Sequence, residues 1–210
     1  MPFHPPPDAR SSHGNGKDHP EVPTKERPAP GAGPFGLAIF LVSLAVLFAA
    51  SVVAFVALRL GADQWRATPP PPLPRSLWLS SALILVGSVT AEASLRAARA
   101  NRQTALRATL LATLLIGFAF LASQTWSWLQ LIETRTTFTT SLYGWLFYFL
   151  TGLHALHLIG GLVPLTVITV NAFYHRYSPV HHSPVRFSTM YWHFLGVVWL
   201  TLFAVLALGR

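Results

Sequence analysis

The chain has 210 residues, of which 52% are hydrophobic and only 10% charged, with a formal net charge of +8. A soluble domain carries about 25% charged residues, so this composition excludes both wholesale disorder and an ordinary water-soluble globule. Cysteine is absent, which excludes disulfides, iron–sulfur clusters, thiolate zinc, c-type haem attachment, a cysteine nucleophile and thiolate-bridged copper.

Residues 1–34 hold nine of the seventeen prolines, His4, His13 and His19, and charges of both signs. No apolar period runs through them, so they read as a disordered tail. Three scattered histidines offer a metal-binding reading, but a solvated tail explains them more simply. The first apolar run starts too late for a secretory signal peptide and has no small-residue cleavage pattern behind it.

Five apolar runs follow, at about 35–58, 76–95, 108–132, 141–173 and 187–208. Each meets the roughly 20 residues that a helix needs to cross the hydrocarbon of a bilayer. In lipid a backbone amide finds no water, so every span must satisfy its own amides, and that forces helix. The expected fold is an all-α integral membrane protein, a bundle of five transmembrane helices. Pro69, Pro70, Pro71, Pro72 and Pro74 predict a stiff extended connection after the first span. Arg96, Arg99, Arg102 and Arg107 mark the turn between spans two and three. Glu133, Arg135 and a Thr-rich run separate three from four, and residues 177–184 separate four from five. The fourth span exceeds one bilayer thickness, so tilt is expected, with a kink at Pro164.

With five crossings the tail, loop 2–3 and loop 4–5 share one side. That side carries ten Lys and Arg against five on the other, which predicts a cytoplasmic N-terminus and an external C-terminus. The same placement makes the basic residues topology signals. No folded basic domain is left to bind nucleic acid.

Polar groups within spans are costly and therefore functional candidates. His154 and His157 are three apart and share a helical face, continued by Gly161 and Pro164. As a pair they suit a metal or haem ligand set. The simpler reading is two interior histidines bonded to neighbouring helices, because a metal needs three or four ligands and the remaining histidine within a span, His193, lies on another helix. Gly117, Gln124 and Ser127 share a face of the third span, and Thr189, His193 and Gly196 one of the fifth. Gln124 suits a buried inter-helix hydrogen bond. Glu92 stands four residues before Arg96, a spacing for an interfacial ion pair, with proton relay as its other reading. The aromatic residues near span ends suit interfacial anchoring. No nucleotide-binding loop, nucleophile elbow or zinc-protease helix occurs, so no catalytic residue is assigned.

In the fourth span, Tyr143-Gly144 and then Thr151-Gly152-Leu153-His154-Ala155-Leu156-His157-Leu158-Ile159-Gly160-Gly161 are similar to T-G-x-H-x-x-H-x-x-G-G, and by this stretch the sequence resembles subunit III of the haem–copper terminal oxidases. Tyr191-Trp192-His193-Phe194 with Val197-Val198-Trp199 resembles Y-W-H-F-V-D-x-V-W, and His182 matches a histidine in the preceding loop. Gln124 with Trp128 resembles Q-x-x-E followed by an aromatic residue, and Phe40-Leu41, Ser43, Phe48-Ala49-Ala50 and Leu58-Arg59 fit the first helix more loosely. The likeness covers about residues 35–208 and corresponds to the short five-helix bacterial form.

The resemblance implies a non-redox accessory subunit in a bacterial inner membrane. It implies packing on catalytic subunit I, with subunit II, and support of lipid binding, proton uptake and stability. The complex passes electrons from cytochrome c to dioxygen. Haem and copper would reside in the partner subunits, with no metal or cofactor in this chain beyond bound phospholipid. A quinol oxidase or nitric oxide reductase partner is the nearer alternative. A small transporter or an independent haem protein is the farther one, and a transporter should show a repeat that is not seen here. Four acidic positions of the pattern are occupied by Leu44, Ser127, Arg186 and Gly196. If only packing is retained, restoring acids at Leu44 and Gly196 should leave assembly intact.

Overall fold

The structure, a computed structural model, describes residues 32–61, 74–133 and 142–209. The Pro-rich tail up to residue 31, the polyproline run 69–72 and the Thr-rich connection with Arg135 lie outside the described residues. Among the described residues there are five helices: α1 Ala32–Gly61, α2 Ser76–Arg99, α3 Gln103–Glu133, α4 Leu142–Phe173 and α5 Ser183–Leu208. All five are long and apolar enough to cross a membrane. The chain is an all-helical, multi-pass membrane protein.

Hydroxyl groups inside the spans are satisfied locally. Ser43, Ser51, Thr125, Thr166 and Thr201 each donate to the carbonyl four residues earlier, at 2.8–3.0 Å. This removes the cost of an unpaired hydroxyl in hydrocarbon without any partner helix.

The helices run past the apolar segments that announce them. α2 extends to Arg99 and α3 begins at Gln103, so Arg96, Arg99 and Arg107 are helical and only residues 100–102 form the turn. The apolar run ends where hydrocarbon ends, whereas the helix ends where its carbonyls find other donors. Arg102 N–H donates to Ala97 O at 2.9 Å and Asn101 N–H to Ala98 O at 3.2 Å, with Asn101 left-handed at φ 54. α4 closes in the same way, with Arg176 N–H on Asn171 O, His175 N–H on Ala172 O, and His175 at φ 55. Both ends are the glycine-type helix stop, built here with Asn and His.

α2 and α3 form a closely packed antiparallel hairpin. α5 lies against α2 and α4, and α4 also packs on α3. α1 is peripheral, seated mainly on α5, with Phe48 reaching the α4 histidines at ring-centroid distances of 6.2 and 5.1 Å. The deepest side chains include Phe55, Phe120, Phe147 and Trp199, none with measurable exposure.

Candidate functional site

Of the residues of the family motif, His154 and Trp199 meet where α3, α4 and α5 come together at Phe120. His154 is fully buried among the rings of Phe48, Phe120 and Trp199, whose centroids lie 6.2, 5.7 and 5.2 Å away. Neither ring nitrogen has a hydrogen-bond partner among the described residues. His157, one turn on, bonds through Nδ1 to Leu153 O of its own helix at 2.7 Å. The expectation that both imidazoles bond neighbouring helices is therefore corrected: aromatic rings wall in the first, and the second caps a carbonyl of α4. His193 faces α2 and joins neither. Among the described residues no three His, Cys, Asp or Glu side chains cluster to hold a metal ion.

The glycines do different work from close backbone approach. A Cβ at Gly161 would collide with the Tyr191 ring, and the Tyr191 hydroxyl donates to His157 O at 2.8 Å. The absent side chain thus admits an aromatic ring from α5. Gly152 and Gly160 have nothing within 4 Å of a Cβ, so this chain's own packing does not require glycine there. Trp192 is 2% exposed and wedged between two glycines the motif does not contain. A Cβ at Gly87 would lie 2.9 Å from its indole, and one at Gly117 3.0 Å from it. One side chain of α5 therefore keys α2 and α3 together. Trp199 is buried and donates from Nε1 to Ser81 Oγ at 3.1 Å.

Gln124 is buried on α3, where Oε1 accepts from Ser80 Oγ at 3.4 Å. It sits in a ladder of hydroxyls: Ser76 with Ser127 at 2.7 Å, Ser80 with Ser123 at 3.0 Å, and Ser76 to Gln130 Oε1 at 3.1 Å. Sequence reasoning singled out Gln124 and Ser127 but not Ser76, Ser80, Ser123 or Gln130. The paired four-residue spacings Ser76/Ser80 and Ser123/Ser127 were the available signal. Farther along α3, Trp128 Nε1 donates to Thr151 Oγ1 of α4 at 3.0 Å.

The ends on the loop 2–3 and loop 4–5 side are stitched together. Gln103 Nε2 donates to Tyr177 O at 3.0 Å and Arg107 Nε to Ala172 O at 3.2 Å, while Arg107 also meets the His175 ring. His182 precedes α5 and bonds through Nδ1 to Pro179 O at 2.7 Å. Burial raises the Tyr177 phenol above its ordinary pKa, opposed by its bond with Asn171 and by the charge of Arg176.

Glu92, Arg96 and His193 meet on the outer face of α2 and α5. Arg96 Nε donates to Glu92 Oε1 at 3.0 Å, and His193 Nε2 lies 3.9 Å from Glu92 Oε2. The Thr189–His193–Gly196 stripe faces α2 along its length: Thr189 donates to Ala91 O at 3.2 Å, and a Cβ at Gly196 would meet Ser88 Oγ at 3.3 Å. Leu44 and Ser127 are buried and Arg186 is exposed. Space beside Gly196 is thus tight and Leu44 is 7% exposed, so acids restored at these two positions would enter confined space.

An apolar groove of about 710 Å³ opens between α1, α4 and α5, lined by Phe40, His157, Gly161, Pro164, Tyr177 and Tyr191 among others. Its walls can receive hydrocarbon chains and offer little to a polar ligand.

Comparison with known proteins agrees with the family resemblance. A family model described as cytochrome c oxidase subunit III matches residues 31–208. A protein of Nocardia farcinica named probable cytochrome c oxidase subunit 3 is 31% identical over 179 residues, covering 83% of this chain and 87% of its own length. Its namesake in Mycobacterium tuberculosis is 30% identical over 175 residues, covering 81% and 85%. Cytochrome c oxidase subunit 3 of Gallus gallus is 33% identical over 178 residues, covering 80% of this chain and 66% of its own length.

Proposed function

The chain belongs to the cytochrome c oxidase subunit III family, and from that premise we propose how it serves its complex. It is subunit III of a haem–copper oxidase, an oxidoreductase assembly, and its five helices make it a multi-pass membrane component. In the proposed reading it packs beside catalytic subunit I, together with subunit II, in a bacterial inner membrane with its N-terminus cytoplasmic. Electrons pass from cytochrome c to dioxygen on haem and copper held by those partners. This chain contributes a rigid flank, holds phospholipid chains in the α1/α4/α5 groove and supports proton uptake.

The observation that carries the reading is the interlock of α4 and α5. Of the residues that resemble the family pattern, His154, His157, Gly161, Tyr191 and Trp199 touch one another or share the Phe48 ring as a neighbour. They build a packed surface, and where His157, Gly161 and Tyr191 open onto the groove its walls are apolar. In lipid such packing, rather than hydrophobic burial, decides which helices associate.

The test is a mild-detergent purification of the tagged full chain with identification of its companions. Co-purification with a haem–copper catalytic subunit and oxygen consumption is expected. A chain that is stable and solitary after the same purification contradicts the proposal. A companion set belonging to a quinol oxidase would transfer the same role to that enzyme and contradict cytochrome c as donor.

A further inference from the structure

A recess of about 370 Å³ lies on the outer face of α2 and α5, away from the α4 motif, lined by Ser88, Val89, Glu92, Ala93, Arg96 and His193. It brings a carboxylate, a guanidinium and an imidazole to one opening. Glu92 is bonded to Arg96 at 3.0 Å and lies 3.9 Å from His193. None of the three is sealed inside: the side chains of Arg96, His193 and Glu92 are 76%, 43% and 35% exposed.

Depth decides what can meet them. Glu92 stands seven residues before Arg99, the last residue of α2, which places it about 10 Å below that helix end at about 1.5 Å per residue. His193 stands ten residues beyond Ser183, the start of α5, about 15 Å along that helix, and its ring comes within 3.9 Å of the Glu92 carboxylate. The apolar run of this α2 span ends near residue 95, so Glu92 sits only about 5 Å inside it, and Arg96, one turn on, can extend its guanidinium toward the headgroups. An exposed carboxylate there is costly against acyl chains alone, and an anion alone would be repelled by it.

We infer that this recess binds the headgroup of a zwitterionic aminophospholipid, with Glu92 accepting from the ammonium and Arg96 and His193 donating to the phosphate. Charge complementarity selects this occupant over a purely anionic lipid: the recess offers one carboxylate and one guanidinium a few ångströms apart, with an imidazole beside them, matching an ammonium and a phosphate separated by two carbons. A primary ammonium supplies N–H donors to Glu92, whereas a trimethylated one supplies none. Val89 and Ala93 give the start of the acyl chains an apolar wall. The inference rests on the reading of the chain as a lipid-embedded oxidase subunit.

The test equilibrates the oxidase complex containing the full chain with equimolar phosphatidylethanolamine, phosphatidylcholine and phosphatidylglycerol, repurifies it and quantifies retained lipid by mass spectrometry. Subunits are assayed in the same sample. The wild-type complex is expected to retain phosphatidylethanolamine above the other two. Glu92→Gln is expected to cut that preference about tenfold, the scale of one charge-assisted hydrogen bond. Arg96→Gln lowers retention of all three lipids, and Arg99→Gln, outside the recess, changes nothing. Equal retention by wild type and Glu92→Gln overturns the inference, as does a preference for phosphatidylglycerol. Loss of a companion subunit from Glu92→Gln with an unchanged lipid ratio also overturns it, assigning the face to a protein neighbour. If the wild-type chain has no companions, the subunit reading fails; an intact complex without lipid preference defeats the headgroup site alone.

Discussion

At the scale of single residues, the clearest device is the missing side chain at Gly161. Tyr191 occupies that space and anchors its hydroxyl on His157 O. Gly161→Ala is expected to destabilise the detergent-solubilised complex by about 1–3 kcal/mol, the usual cost of an extra methyl group in a packed site. Gly160→Ala, where a Cβ meets nothing, should leave the thermal unfolding midpoint unchanged. Equal effects at the two positions would dissolve the distinction. Gly196→Asp is expected to lower complex yield, because its side chain enters the space of Ser88 beside the Glu92 recess. The identities of these residues were legible in the sequence as a motif, but their partners were not. In a soluble helix the apolar stripe tells which face turns inward. These spans are apolar on nearly every face, and lipid tails are as apolar as leucine, so hydropathy does not separate the face that meets α5 from the face that meets lipid. For the same reason His154 invited a neighbouring-helix hydrogen bond that the aromatic cage does not provide.

At the scale of elements, hydropathy located the spans well because the hydrocarbon thickness fixes their length. It located their ends less well. α2 and α3 continue beyond their apolar runs, and the turn is closed by Asn101 at φ 54, a signal carried by hydrogen bonds and not by polarity. Asn101→Gly should fold as well as the parent. Asn101→Val should cost about 1–2 kcal/mol for a left-handed β-branched residue, read as reduced thermal stability. The α2–α3 hairpin behind that turn is fastened twice, by the serine ladder and by Trp192 between Gly87 and Gly117. The indole should matter more. Trp192→Ala is expected to cost about 3–5 kcal/mol as a cavity, while Ser123→Ala costs about 0.6 kcal/mol, the scale of a hydrogen bond within a membrane. Comparable losses of complex stability from the two changes would reverse that ranking.

At the scale of the whole molecule, the five helices differ in how firmly they belong. α2 to α5 interlock, whereas α1 rests mainly on α5 and leaves an open groove toward α4. α1 is the helix whose remaining surface is freest for lipid or for a neighbouring subunit. Glu92 and Arg96 meet the half-exposed His193 at an outer recess, away from the aromatic cage around His154. In the proposed reading this chain shapes and steadies a redox complex while its partners carry the electron-transfer groups. The most direct measurement is the visible absorption spectrum of the purified oxidase before and after this chain is stripped from it, alongside that of the released chain. The expected result is an unchanged haem spectrum in the stripped complex and none in the released chain. A haem absorption band that leaves with this chain would contradict the account.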